Sequence, residues 1–212
     1  MSMLRKLAGL AASIVVMMYV STGAMAADFG GTFTCLQYTN GLGDNSTGRM
    51  QSNLGRLWIH GYLAGLYKGQ GNLEWSADPA DAKAFDDLIA LDCSASPQAT
   101  ILIMALKGIG VAPHKLPAVA TGDFSPLTYT CGQHLDAKNG AAAAANKADL
   151  AEMWAFAFIQ GFKNASQPDM QIGAENKPAL IKAILGDKVC GANRDKPLMT
   201  YVAMVAEKVK LK

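Results

Sequence analysis

Charge is scarce in this chain of 212 residues: only 17% are Asp, Glu, Lys or Arg, with 19 cations against 17 anions. No basic stripe of the kind a nucleic-acid partner requires is present, which excludes that class of ligand. Histidine occurs three times. No Cys-x-x-Cys occurs, and no Ser/His/Asp set, paired carboxylates or metal-ligand cluster recurs along the sequence. An enzyme, a metal centre and a bound cofactor are therefore not expected. No run alternates apolar and polar residues as a half-buried strand would, which points to an all-α fold. Apolar residues are plentiful, at 50%, and that excludes a disordered chain.

The apolar material begins at the N-terminus. Arg5 and Lys6 precede an apolar run from Leu7 to Val20, and Ala24-Met25-Ala26 supplies a small-x-small cleavage pattern. Residues 1–26 thus read as a cleaved export signal, because the run is shorter than the roughly 20 residues needed to cross a bilayer. No later segment is long and apolar enough to span a membrane. The expected product is soluble and periplasmic, in an oxidising compartment where disulfides persist. Without Arg5 and Lys6 it carries 17 cations and 17 anions.

The rest of the chain repeats itself. Thr32-Phe33-Thr34-Cys35 returns as Thr128-Tyr129-Thr130-Cys131, 96 residues later. The same offset carries Trp58 to Trp154, Tyr62 to Phe158, Gly65 to Gly161 and Leu66 to Phe162, and an offset of 97 carries Cys93 to Cys190. The expected units are 27–110 and 127–212, joined by a Pro-containing linker over 111–126 with Pro113, Pro117 and Pro126, read as exposed.

Within each unit the pattern is helical. Apolar or small residues at 54, 57, 58, 61, 62, 65 and 66 fall on one face, and 150, 153, 154, 157, 158, 161 and 162 repeat it. Positions 61 and 157 are Gly and Ala, and 65 and 161 are both Gly. A helix-interior glycine costs about 1 kcal/mol against alanine, so its presence in both units implies close approach of another backbone. Further helices are expected from Asp78-Pro79 and Lys177-Pro178, with Pro in the first turn. Two more are expected from Ser96-Pro97 and Pro197, the former with Ile101, Leu102, Ala105 and Leu106 inward.

Four cysteines permit three pairings, and the repeat selects Cys35–Cys93 with Cys131–Cys190. A unit of this size has a thin core and gains from a staple. Metal or redox chemistry is the competing reading, for which only Cys131 and His134 stand close. Other residues read as structural. His60 is expected on a helix face, partly packed; His114 lies in the linker, and His134 in a polar stretch. Asp86-Asp87 reads as an exposed acidic pair. Trp58, Tyr62, Gly65, Trp154, Phe158 and Gly161 are candidates for helix-face packing or for contact with a partner or client.

Cysteine, an aromatic-x-x-x-aromatic-x-x-Gly helix, then a second cysteine and a short terminal helix resembles the HdeA family of periplasmic acid-stress chaperones. The resemblance rests on Thr130-Cys131, Trp154 to Phe162 (WAFAFIQGF), Val189-Cys190 and the basic tail Glu207 to Lys212. Thr34-Cys35, Trp58 to Leu66 (WIHGYLAGL) and Cys93 carry it in the first unit. Two units in one chain and longer Cys–Cys loops depart from the family. The resemblance implies two small disulfide-stapled helical domains packed as a pseudo-dimer, with unfolded periplasmic proteins as partners once acid exposes apolar surface. With every carboxylate protonated and three histidines charged, the net charge approaches +20, which favours expansion. A second resemblance, in His60-Gly61-Tyr62-Leu63-Ala64-Gly65, Cys93 and Pro97-Gln98, is to Tai-type immunity proteins. It implies one protein partner, a cell-wall amidase toxin.

Overall fold

A computed structural model describes residues 29–42, 46–108, 115–121, 124–140, 142–167 and 172–208. The expected export signal, His114 and the start of the linker lie outside the described residues. The first repeat contains α1 (Phe29–Thr32), α2 (Cys35–Asn40), α3 (Ser46–Gln70), strand β1 (Glu74–Ser76), α4 (Pro79–Ala95) and α5 (Ile101–Gly108). Strand β2 (Lys115–Pro117) follows. The second repeat contains α6 (Cys131–Lys138), α7 (Ala142–Ser166), a 3₁₀ turn (Ala174–Asn176), α8 (Lys177–Leu185), α9 (Asp187–Gly191) and α10 (Leu198–Ala206). The fold is mostly helical, with two three-residue strands that the all-α reading did not include.

The repeat in sequence is a repeat in hydrogen bonding. Thr34 and Thr130 each cap a helix through a reciprocal capping box, with Gln37 and Gln133 respectively. Cys35 N donates to Ala99 O at 2.8 Å, and Cys131 N to Lys196 O at 3.1 Å. Ile101 N donates to Phe33 O at 3.0 Å, and Leu198 N to Tyr129 O at 2.7 Å. Each set ties the entry of the cysteine helix to the start of the last helix. Disulfides Cys35–Cys93 and Cys131–Cys190 close the same loops, with Cα atoms 4.6 and 5.0 Å apart and all four cysteines fully buried. In the chain-entropy account, a loop of this length contributes about 4 kcal/mol.

The repeats meet through α3 and α7, which form the most extensive helix–helix contact in the molecule. Gly61 faces Trp154 and Ala157, Gly65 faces Phe158 and Phe162, and Gly69 faces Phe162 and Ala165. Both series ascend, so the two helices run parallel. The contact is reciprocal: Gly161 faces Tyr62 and Leu66, the counterparts of the residues that face Gly65. A Cβ on Gly65 would overlap the Phe158 carbonyl, and one on Gly161 the Tyr62 carbonyl. Small residues four apart on both helices let the backbones touch, as in other closely crossed helix pairs. One continuous apolar core spans both repeats, with Trp58, Trp154, Tyr62 and Phe158 in its middle.

Two expectations need correction. The linker is not an exposed strap: Leu116, Val119 and Phe124 are buried, at 1%, 0% and 0% exposure. Its strand β2 pairs in parallel with β1, Trp75 opposite Leu116. Proline marked the segment as a loop, but three large apolar side chains bring it under the first repeat. In α5, Leu106 is 45% exposed and Met104 takes the inward place, because Ile101, Met104 and Ala105 form the face at i, i+3 and i+4.

The close crossing makes a direct prediction. Gly65→Ala or Gly161→Ala forces the helices apart and should lower stability by about 3 kcal/mol or more. Gly191→Ala, where an added Cβ meets nothing within 4 Å, should leave the melting temperature unchanged or slightly raised. Thermal denaturation of the three variants checks both outcomes.

Candidate functional site

Helix α3 places His60 one residue before the first glycine of the crossing, and its side chain is 0% exposed. The ring lies among Trp75, Phe85 and Trp154. Trp154 Nε1–H, from the second repeat, donates to His60 Nδ1 at 3.0 Å. His60 Nε2 lies 2.9 Å from the Pro117 carbonyl of the linker. With Nδ1 an acceptor, the proton sits on Nε2 and is donated to Pro117. One neutral imidazole therefore joins the first repeat, the second repeat and the strap between them. This is more than the partly packed helix-face residue expected from sequence.

Burial drives the His60 pKa down to about 4, partly opposed by the Pro117 bond, with Arg56 adding to the fall. Arg56 sits one turn earlier on α3 and pairs with Asp86 of α4, and Asp87 pairs with Lys83, so both members of the expected acidic pair are ion-pair partners. Protonating Nδ1 would take away the acceptor that Trp154 uses. The counterpart of His60 in the second repeat is Phe156, which offers no acceptor, and Trp58 Nε1 is buried without a hydrogen-bond partner. A second polar contact crosses the seam where Asn164 Nδ2 donates to the Tyr62 hydroxyl at 2.6 Å. At the far end, Lys68 meets Glu207 at 3.0 Å.

His134 forms a separate buried group within the second repeat. It is 0% exposed, and neither ring nitrogen has a hydrogen-bond partner. Its Nε2 lies 3.9 Å from Glu152 Oε1, which also takes Lys138 Nζ at 2.6 Å. Burial pushes its pKa down to about 4, with Glu152 acting the other way. Lys177, at the start of α8, is nearly buried, and burial lowers its pKa against the pull of Glu152 and Asp149. No local pattern marks Glu152 or Lys177, because their neighbours come from distant helices.

The remaining sequence candidates are interior. Trp58, Tyr62, Gly65, Trp154, Phe158 and Gly161 all lie in the α3–α7 seam and are buried in the folded chain. Of the residues that carry the likeness to immunity proteins, His60 to Gly65 and Cys93 are buried, whereas Pro97 and Gln98 are exposed. Cys131 and His134 do not share a metal site, since Cys131 is in a disulfide. Among the described residues, no group of three or more His, Cys, Asp and Glu side chains is placed to hold a metal ion. Nor is any helix among them long and apolar enough to cross a membrane. No protein-family model, curated protein or solved structure matches the chain.

Both histidines act on stability in one direction. Unfolded, an imidazole binds its proton near pH 6.5; folded, these bind only near pH 4. As pH falls from 6.5 to 4, the unfolded chain takes up protons that the folded chain refuses, so stability is lost across that window. For His60 the loss is on the order of 3 kcal/mol. His60→Phe should lower stability at pH 7, by orphaning Trp154 Nε1, yet flatten the decline between pH 7 and 4 by about that amount. Urea unfolding at the two pH values measures it; a slope equal to wild type would refute the role.

Proposed function

We propose that this chain is an exported, non-enzymatic, HdeA-like periplasmic protein. In this reading its two repeats form an intramolecular pseudo-dimer that opens in acid and holds unfolded proteins on the apolar surface it releases. One observation carries the proposal. The seam between the repeats is closed around a buried neutral histidine, His60, whose acceptor nitrogen serves the indole of the opposite repeat. Protonation sets that contact against itself, and the seam it guards holds large aromatic side chains, with Trp58, Tyr62, Trp154 and Phe158 all within 1% exposure.

Several features support the same reading. His134 adds a second buried imidazole that acid charges. The disulfides lie within repeats, so they limit the unfolding of each repeat without fastening one to the other. Trp58, Tyr62, Phe158 and Phe162 change role on opening, from core to client surface. The alternative role, blocking an amidase toxin as Tai-type immunity proteins do, finds less support in the seam, because His60 to Gly65 and Cys93 are hidden in the folded chain and only Pro97 and Gln98 of the residues that suggest it are exposed.

Aggregation of an unrelated protein, followed with and without the oxidised chain, tests the proposal. Suppression at pH 2 to 3, absence of suppression at pH 7, and a matching rise in binding of an apolar dye are expected. His60→Phe should move the onset of dye binding to lower pH. Equal suppression at both pH values, or none at either, would overturn it.

A further inference from the structure

Among the described residues, most of the large apolar side chains left in solvent belong to the first repeat. Leu91, Ile103 and Leu106 are 69%, 44% and 45% exposed. At the matching places, set by the pairs Cys93/Cys190 and Thr100/Pro197, the second repeat has Lys188, Thr200 and Ala203. The helices themselves differ. Helix α4 is continuous over 17 residues, whereas its counterpart is split at Gly186 into α8 and α9.

Helix α4 has two apolar faces. Phe85, Ile89 and Cys93 point into the core. Turned about 130° from that face, Ala84, Leu88, Leu91 and Ala95 follow each other at steps of four, three and four, the spacing of a helix-to-helix seam. Ala84, Leu91 and Ala95 are exposed, and Leu88 is half-buried. At 100° per residue, Asp87 borders this stripe on one side and Asp81 and Asp92 on the other. With its cap Asp78, the helix carries five aspartates and one lysine. Asp87 meets that lysine, Lys83, on the side away from the stripe. The charge of the whole repeat leans the same way: residues 27–110 hold eight Asp/Glu and five Lys/Arg, against eight and eleven in residues 127–212.

We infer that the outward face of α4 docks a basic amphipathic helix of a partner protein, in the folded chain at neutral pH. Leucines at that spacing fit a helix carrying apolar residues at i, i+3, i+4 and i+7, and the bordering aspartates select lysine or arginine beside them. A second copy of this chain does not fit. Two α4 helices would set aspartate against aspartate, and the basic second repeat replaces the exposed leucine by Lys188. The inference does not rest on acid opening, and it stands or falls at a pH where the chain is closed.

The test titrates the full oxidised chain, isotope-labelled, at pH 7 with a synthetic 18-residue helix bearing leucines at seam positions and lysines beside them. Binding is expected, with amide shifts centred on α4. Leu91→Lys, which copies the second repeat at a solvent-exposed site, should weaken it at least tenfold while leaving the melting temperature unchanged. Asp87→Asn should weaken it severalfold and reduce its dependence on salt. A control peptide with glutamate for lysine should not bind. Absence of binding, equal binding by wild type and Leu91→Lys, or equal binding of the acidic peptide would overturn the inference. So would self-association that depends on Leu91.

Discussion

At Gly65 and Gly161 the backbones of the two long helices touch with no side chain between them. Everything else is arranged around that contact. It fixes the separation of the repeats, and so brings Trp154 within reach of His60 and Asn164 within reach of Tyr62. It also explains why helices of 25 residues tolerate interior glycines: what each loses in helix propensity is returned as close packing against a partner. The reciprocity of the contact is what a tandem repeat produces when its two copies fold face to face.

Equivalent copies have since been given unequal parts. His60 stands where the other repeat has Phe156, so one tryptophan has an acceptor for its indole proton and the other, Trp58, has none. Leu91 stands where the other repeat has Lys188, and a continuous helix stands where the other breaks at Gly186. The frame of caps, disulfides and glycines is kept on both sides, while the chemistry that could sense acid or meet a partner differs between them.

Much of this frame was legible in the sequence, because its signals are short-range or repeated. The near-equal spacing of the cysteines, 58 and 59 residues, selects the pairing. The retained glycines imply a close neighbour, though not which one. What stayed hidden depends on contacts between distant residues. The partners of His60 lie 57 and 94 positions away, and no local pattern names them. The linker was misjudged for a different reason. Proline speaks only of backbone conformation, whereas burial of the strap follows from Leu116, Val119 and Phe124, whose destination is set by the surface they cover. The burial of His134 beside Glu152 likewise arises only when α6 and α7 come together.

The strap joining the repeats would set the order of the proposed reaction by which they part. Two separate chains held by the same seam would come apart more readily on dilution, as mass action requires. Here the covalent connection keeps the two faces at an effective concentration in the millimolar range for a short linker, whatever the amount of protein present. The proposed acid opening would therefore be a first-order event, indifferent to abundance. In that proposal reclosure would need no search for a partner, because the matching face stays on the same chain.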